Sequence, residues 1–110
     1  DAIHPGITRA MDLYPLIEEG VSKRGFYDQL NRRLGASQTV GHSIGVEVHE
    51  FPWLSYRDDT VLDEGMVLAI EPKLWEPGEY YLRLEELVLI GWQSAEFLTT
   101  FDRDLFQLCS

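Results

Sequence analysis

Three stretches of this 110-residue chain gather the side chains able to do chemistry: Gly41 to Pro52 (GHSIGVEVHEFP), Asp63 to Pro72 (DEGMVLAIEP) and Tyr81 to Leu89 (YLRLEELVL). The first carries His42 and His49, seven positions apart. On one regular strand an odd separation sends two side chains to opposite faces. A shared site therefore needs a bend or bulge between them, and Gly45 is the residue that permits it. As a rule, two strand histidines are structural or surface residues. Glu71 closes the apolar run Met66 to Ile70 just before Pro72, either as a solvent-facing strand end or as a charge neutralised by a metal. Arg83 and Glu85 share one strand face, with Leu82, Leu84 and Glu86 on the other. They read either as a wet same-face ion pair of little worth or as an arginine steadying a metal-binding carboxylate. One imidazole and two carboxylates supply nitrogen and hard oxygen donors, a set suited to Mn, Co, Fe or Zn and unlike a thiolate site. Two bridged metal ions would need more carboxylates than these.

Those residues have to be positioned by the elements around them. Pro5-Gly6 reads as a turn and Thr8 as a helix N-cap, followed by Ala10, Leu13, Tyr14 and Ile17 at helical spacing. Pro15 leaves two readings, a helix kinked there or one that begins near Asp12 with Pro15 in its first turn. A second helix is predicted from Ser22 to Leu34, with Phe26, Leu30 and Leu34 on one face and Gly35 as its stop. Beyond Gly35, runs separated by Pro, Gly and Asp predict strands at Gln38 to Val40, Ser43 to His49, Met66 to Trp75, Tyr80 to Ile90 and Phe97 to Thr99. Glu76-Pro77-Gly78-Glu79 is a turn signal, so Met66 to Trp75 and Tyr80 to Ile90 should pair as a hairpin. Two helices followed by about five strands, without βαβ alternation, predict an α+β fold with a curved, mostly antiparallel sheet.

Composition removes whole classes of function. Nine basic against 19 acidic residues give a formal charge of −10. Such a chain lacks the clustered positive field that nucleic-acid binding requires, and an anionic membrane surface would repel it. Apolar residues at 45% and aromatics at 12% are too abundant for disorder and suit one packed domain. The longest apolar stretches, Met66 to Ile70 and Leu87 to Trp92, fall far short of the roughly 20 residues that cross a bilayer. The opening DAIHPGITRA has neither the basic nor the apolar region of a secretory signal, and the single Cys109 excludes an internal disulfide. A cytoplasmic location is the expectation.

In order along the chain, GHSIGxxxHExP, GMVxxIEP and RxEE resemble the C-terminal half of the pita-bread metallopeptidases. These include Xaa-Pro aminopeptidase, prolidase (Xaa-Pro dipeptidase) and methionine aminopeptidase, with creatinase as a relative. HPGIT resembles the family's Pro-Gly helix entry, and AEFLTTFDRDLFQL its closing strand and tail. The resemblance implies the second half of a pita-bread fold and a peptide substrate, most naturally of the Xaa-Pro type. It makes His42 the metal-binding histidine, and Glu71 and Glu85 the carboxylate ligands, at least one of them bridging two divalent ions. Mn or Co would be the metal, with Zn or Fe as alternatives. His49 would hydrogen-bond substrate and stabilise the tetrahedral intermediate, while Arg83 would orient the carboxylates. A bridging hydroxide would attack the scissile carbonyl, and Glu71 would accept the water's proton as general base.

The sequence also departs from the family pattern. Gln38 takes the substrate-facing place where proline-directed members often carry a second histidine, four residues before the metal histidine. Ser43 replaces the commoner Gly of GHGIG, a variant shared with the creatinase-like branch, whose members hydrolyse non-peptide C–N bonds without metal. HEFP and the intact IEP and RxEE favour a metal-using peptidase. The family's full site also uses two aspartates on a hairpin before the Pro-Gly entry. Asp1 opens the chain and Asp12 lies beyond HPGIT, so neither supplies them. Residues 1–110 therefore read as a single C-terminal portion of a catalytic domain that holds three of the five expected ligands. Alone, such a portion should bind metal poorly and turn over nothing. Its uncovered strand edge and helix face should favour self-association, a homodimer included. The competing readings are a creatinase-like, metal-independent C–N hydrolase and a non-catalytic peptide-binding pseudoenzyme.

Overall fold

The computed structural model describes residues 3–34 and 39–100, with the backbone alone for 31–34. Helices α1 (Ala10–Lys23) and α2 (Tyr27–Leu34) precede seven strands. These are β1 (Thr39–Ile44), β2 (Glu50–Ser55), β3 (Val67–Ile70), β4 (Lys73–Glu76), β5 (Tyr80–Arg83), β6 (Glu86–Ile90) and β7 (Ala95–Phe97). Every pairing among them is antiparallel. They form a five-stranded sheet of order β2-β1-β3-β6-β7 and a two-stranded one, β4-β5, which is the expected α+β class.

The N-cap of α1 is Arg9, one residue after the predicted Thr8. Asp12 Oδ2 accepts the Arg9 N–H at 2.8 Å, whereas Thr8 Oγ1 accepts the His4 N–H at 2.8 Å and closes the preceding turn. The N–H groups of Ala10 and Met11 have no partner inside the helix and donate instead to the carbonyls of Thr60 and Asp58, each at 2.8 Å. Pro15 lies within α1 on an exposed position, so the helix begins at Ala10 and not near Asp12. It runs on to Lys23, past the Ser22 at which the second helix was predicted to start. Gly25 adopts φ +84°. The Phe26 N–H then reaches the Val21 carbonyl at 3.2 Å and the Gly25 N–H that of Ser22 at 3.0 Å, the double closure of a Schellman motif. Ser22 thus belongs to α1, and α2 starts at Tyr27. Leu30 is buried while Phe26 is exposed. Gly35 and the side chain of Leu34 lie outside the described residues.

The strand predicted at Ser43 to His49 is corrected. β1 runs from Thr39 to Ile44, residues 45–49 bend, and the chain returns as β2, which the sequence reading did not include. Pro52 inside HEFPW disguises that strand. A residue without an N–H is tolerated there because β2 is an edge of the sheet. The closing strand comes at Ala95–Phe97, two residues before the predicted Phe97 start. The tail from residue 101 lies outside the described residues.

The long hairpin holds, but each arm divides in two. β3 pairs with β6 from Val67↔Leu89 to Ile70↔Glu86, and β4 pairs with β5 from Lys73↔Arg83 to Glu76↔Tyr80. Stepping from Ile70↔Glu86 to Lys73↔Arg83 advances three residues on each arm, so one register runs through the gap. Within it Glu71 stands opposite Glu85, and Pro72, which lacks a ladder donor, opposite Leu84. Val40, Leu54, Leu68 and Ile90 from the sheet pack with Leu13, Leu30 and Leu62 to form the core that holds this frame.

Candidate metal centre

Strand alternation explains why distant residues meet. His42 on β1 pairs with Ala69 on β3, and Ala69 pairs with Leu87 on β6, so the three share a face of the sheet. Two residues from Ala69 is Glu71, and two residues from Leu87 is Glu85. Both carboxylates therefore fall on the face that carries His42. On the other side of β1, His42 pairs with Trp53 of β2, which puts the indole on that face as well. Gly41 allows the close approach of β1 to its neighbours. A Cβ there would strike the Ala69 carbonyl oxygen and come within 2.8 Å of Leu54 Cδ1.

The side-chain geometry follows. His42 is only 3% exposed. Its Nδ1 lies 2.9 Å from the Ser43 carbonyl oxygen, which can only accept, so Nδ1 carries the hydrogen and Nε2 is left to face the site. Glu71 Oε1 is 3.4 Å from that Nε2, and the Glu71 N–H is fixed to the Val40 carbonyl at 2.8 Å. One donor atom each from His42, Glu71 and Glu85 lies within 4.8 Å of the others. The register brings one ring nitrogen and two carboxylates from three strands to one point, and a nitrogen with two hard oxygens is what a divalent transition ion takes. The residues present fit such an ion.

His49 reaches the same place by a different route from the one expected. It lies in the bend between β1 and β2 instead of on a bulged strand. Its ring centroid is 4.4 Å from that of His42 and 5.7 Å from that of Trp53, stacked on the latter at 15°. Gly45 does begin the bend, and a Cβ on it would meet the Glu50 carboxylate. Arg83 reaches Glu71, with Nη1 3.9 Å from Oε2, although the sequence had paired it with Glu85. Gln38 lies outside the described residues. Two neighbours went unnoticed in the sequence. Lys73 Nζ is 3.5 Å from Glu71 Oε1, and its place two residues after Glu71, on the same face, was the available signal. Trp53 was the other, hidden in the strand that Pro52 disguised. Trp53 also joins the site to an open cavity of about 620 Å³, where it forms a wall with Phe51, Thr39 and Arg57.

This α+β frame, with a histidine from the first strand and two glutamates facing across a hairpin, is that of the pita-bread hydrolases. The family comparison is equally direct: residues 1–91 match the model of metallopeptidase family M24, and the chain belongs to that family. It is 38% identical over 105 residues to the Xaa-Pro dipeptidase of Pyrococcus furiosus, covering 96% of this chain and 28% of that one. With the Xaa-Pro dipeptidase of Lactobacillus helveticus the identity is 34% over 105 residues, covering 96% and 27%. Among solved structures, the prolidase from Pyrococcus furiosus superposes with TM-score 0.79 at 36% identity, over 94% of this chain and 28% of the other. The X-Pro aminopeptidase from Thermotoga maritima gives 0.80 at 32%, over 94% and 28%. The chain thus spans little more than a quarter of the length of these relatives. Among the described residues no helix is long and apolar enough to cross a membrane.

Proposed function

We propose that this chain supplies the histidine-glutamate-glutamate side of the active site of a metal-dependent Xaa-Pro peptidase. The observation that carries the reading is the convergence of donor atoms from His42, Glu71 and Glu85 within 4.8 Å of one another. In the proposal these three are ligands, and two aspartates outside residues 1–110 complete a site for two divalent ions, Mn or Co. The metal, when bound, supplies Lewis acidity toward the scissile carbonyl and acidifies a water for attack at neutral pH. The chain's own residues do the rest. Glu71 takes a proton from that water, and its own position is held from two sides by Lys73 and Arg83. His49, held against Trp53, donates a hydrogen bond to the carbonyl oxygen as charge develops on it. Gln38 contributes to substrate binding. The setting proposed is cytoplasmic, and residues 1–110 alone turn over no substrate.

The test is hydrolysis of an Xaa-Pro dipeptide by the intact protein, with Mn²⁺ and with chelator. Cleavage that chelator stops and Mn²⁺ restores is expected, with loss of both activity and Mn²⁺ binding in Glu85→Ala. Chelator-insensitive cleavage of a non-peptide C–N bond would replace this reading with the creatinase-like one. Peptide binding without hydrolysis would replace it with a pseudoenzyme.

A further inference from the structure

Apolar packing does not hold the bend that carries His49. Residues 45–49 form no strand, and Val46, Val48 and His49 are all exposed. A segment that buries so little opens easily, and its backbone pays the full entropy of being ordered. The ring contacts of His49 with His42 and Trp53 choose an orientation only once the backbone has brought the imidazole there. A group that must meet a developing charge needs that backbone fixed.

Two hydrogen bonds close the bend. The Gly45 N–H donates to the Glu47 carbonyl at 3.1 Å, and the Glu47 N–H donates to Glu50 Oε2 at 3.1 Å. The carboxylate that accepts the second bond folds back over Gly45, into the space a Cβ would take. Gly45 has none of the left-handed φ found at Gly6, Gly25, Gly65 and Gly78, so its backbone suits any residue. What the position demands is room for the Glu50 carboxylate. Glu50 itself is anchored, being the first residue of β2 and the register partner of Ser43, the residue after His42. Its backbone belongs to the sheet and its side chain to the bend.

We infer that Glu50 is a positioning residue for His49: its carboxylate latches the bend through the Glu47 N–H and fixes the backbone from which the imidazole reaches the substrate carbonyl. This rests on the peptidase reading above, which gives His49 its role, and adds the residue that places it. Glu50 touches no reacting atom and acts only through its neighbour. A carboxylate makes the stronger bond to a backbone N–H, but an amide oxygen in the same place still accepts. Glu50→Gln therefore keeps the latch, and Glu50→Ala removes it.

The experiment measures kcat, KM and Mn²⁺ affinity of the intact, Mn²⁺-loaded protein on Ala-Pro. Glu50→Ala should lower kcat about tenfold or more while KM and Mn²⁺ affinity change less than about threefold, and Glu50→Gln should recover most of the loss. In a His49→Ala background Glu50→Ala should cost nothing further. Gly45→Ala should lower kcat similarly by itself and add nothing to Glu50→Ala, where the atoms its methyl strikes are gone. A readout free of turnover comes from NMR of the Zn²⁺-loaded, diamagnetic protein. Stacking on Trp53 should shift the His49 ring protons upfield, and Glu50→Ala, but not Glu50→Gln, should remove that shift. Equal losses with and without His49, Glu50→Gln as damaging as Glu50→Ala, a fall in Mn²⁺ affinity matching that in kcat, or an unmoved ring resonance in Glu50→Ala would each overturn the latch and leave the peptidase reading intact. A wild type that cleaves no Xaa-Pro dipeptide would remove that reading, and the ring resonance would still decide whether Glu50 places His49.

Discussion

His42 and His49 are held by different forces, and the difference sets what each can do. A backbone carbonyl fixes one nitrogen of His42 at 2.9 Å, so its ring can turn little and its other nitrogen is aimed at Glu71. His49 is exposed and positioned by ring contacts, the indole of Trp53 under it and His42 beside it. Stacking of that kind contributes about 0.5–1.5 kcal/mol, enough to favour one orientation without locking it. Trp53→Ala should therefore lower kcat of the intact protein by between about tenfold and a hundredfold, through misplacement of His49, and change Mn²⁺ affinity little. Trp53→Phe should keep most of the activity. Steady-state kinetics with parallel metal titration decide the matter, and an unchanged kcat in Trp53→Ala would show that the indole does not orient His49.

At the scale of elements, the site depends on how closely β1 packs and on what ties β2 to α1. Gly41→Ala places a methyl against the Ala69 carbonyl and Leu54, neither of which can withdraw without moving β3 or the core. A loss of about 1–3 kcal/mol in denaturant unfolding is expected, with metal affinity falling because His42 is the next residue. The second tie is Asp58. Burial alone would raise its carboxyl, but hydrogen bonds from the Thr60 side chain and from the backbone N–H groups of Trp53 and Thr60 outweigh that and hold it below the usual range. A carboxyl lowered in the folded state stabilises the fold above its unfolded value, and that contribution is lost as pH falls through the folded one. Asp58→Asn should therefore flatten the decline of stability below about pH 4 and cost about 1–2 kcal/mol at neutral pH, read from urea curves at several pH values. Asp58 was invisible in the sequence because one of its partners, Trp53, lies in a strand that Pro52 concealed. By contrast, the hairpin was legible from Glu76-Pro77-Gly78-Glu79 because the turn residues and the apolar arms agree. The opposition of Glu71 and Glu85 follows from that hairpin's register, which a reader can count only once one pairing is known. The start of α2 was not legible because Ser22 and Lys23 are as compatible with the second helix as with the first, and only the left-handed turn at Gly25 assigns them to α1.

For the molecule as a whole, the decisive quantity is how much of a metal site three converging donors make. Val46, Phe51 and Trp92 are exposed apolar side chains, and a chain presenting them should self-associate as its concentration rises, which sedimentation would register. Metal affinity speaks more directly to the site. His42 and Glu71 are buried and fixed by backbone contacts, whereas Glu85 is exposed in the gap between β5 and β6, so the set is only partly preorganised. Without the two aspartates proposed to complete it, residues 1–110 should bind Mn²⁺ with a Kd on the order of 100 μM. At 1 mM Mn²⁺ that affinity adds about 1.4 kcal/mol to stability, a rise of several degrees in Tm. Glu85→Ala should abolish the rise, because a histidine and one carboxylate retain too few ligands. Glu79→Ala, at the exposed turn between β4 and β5, should leave it intact despite removing the same charge. Equal loss in both variants would assign the shift to the chain's net charge of −10 instead of to the site. A nanomolar Kd would show that these three residues hold the ion unaided and that no further carboxylates are required.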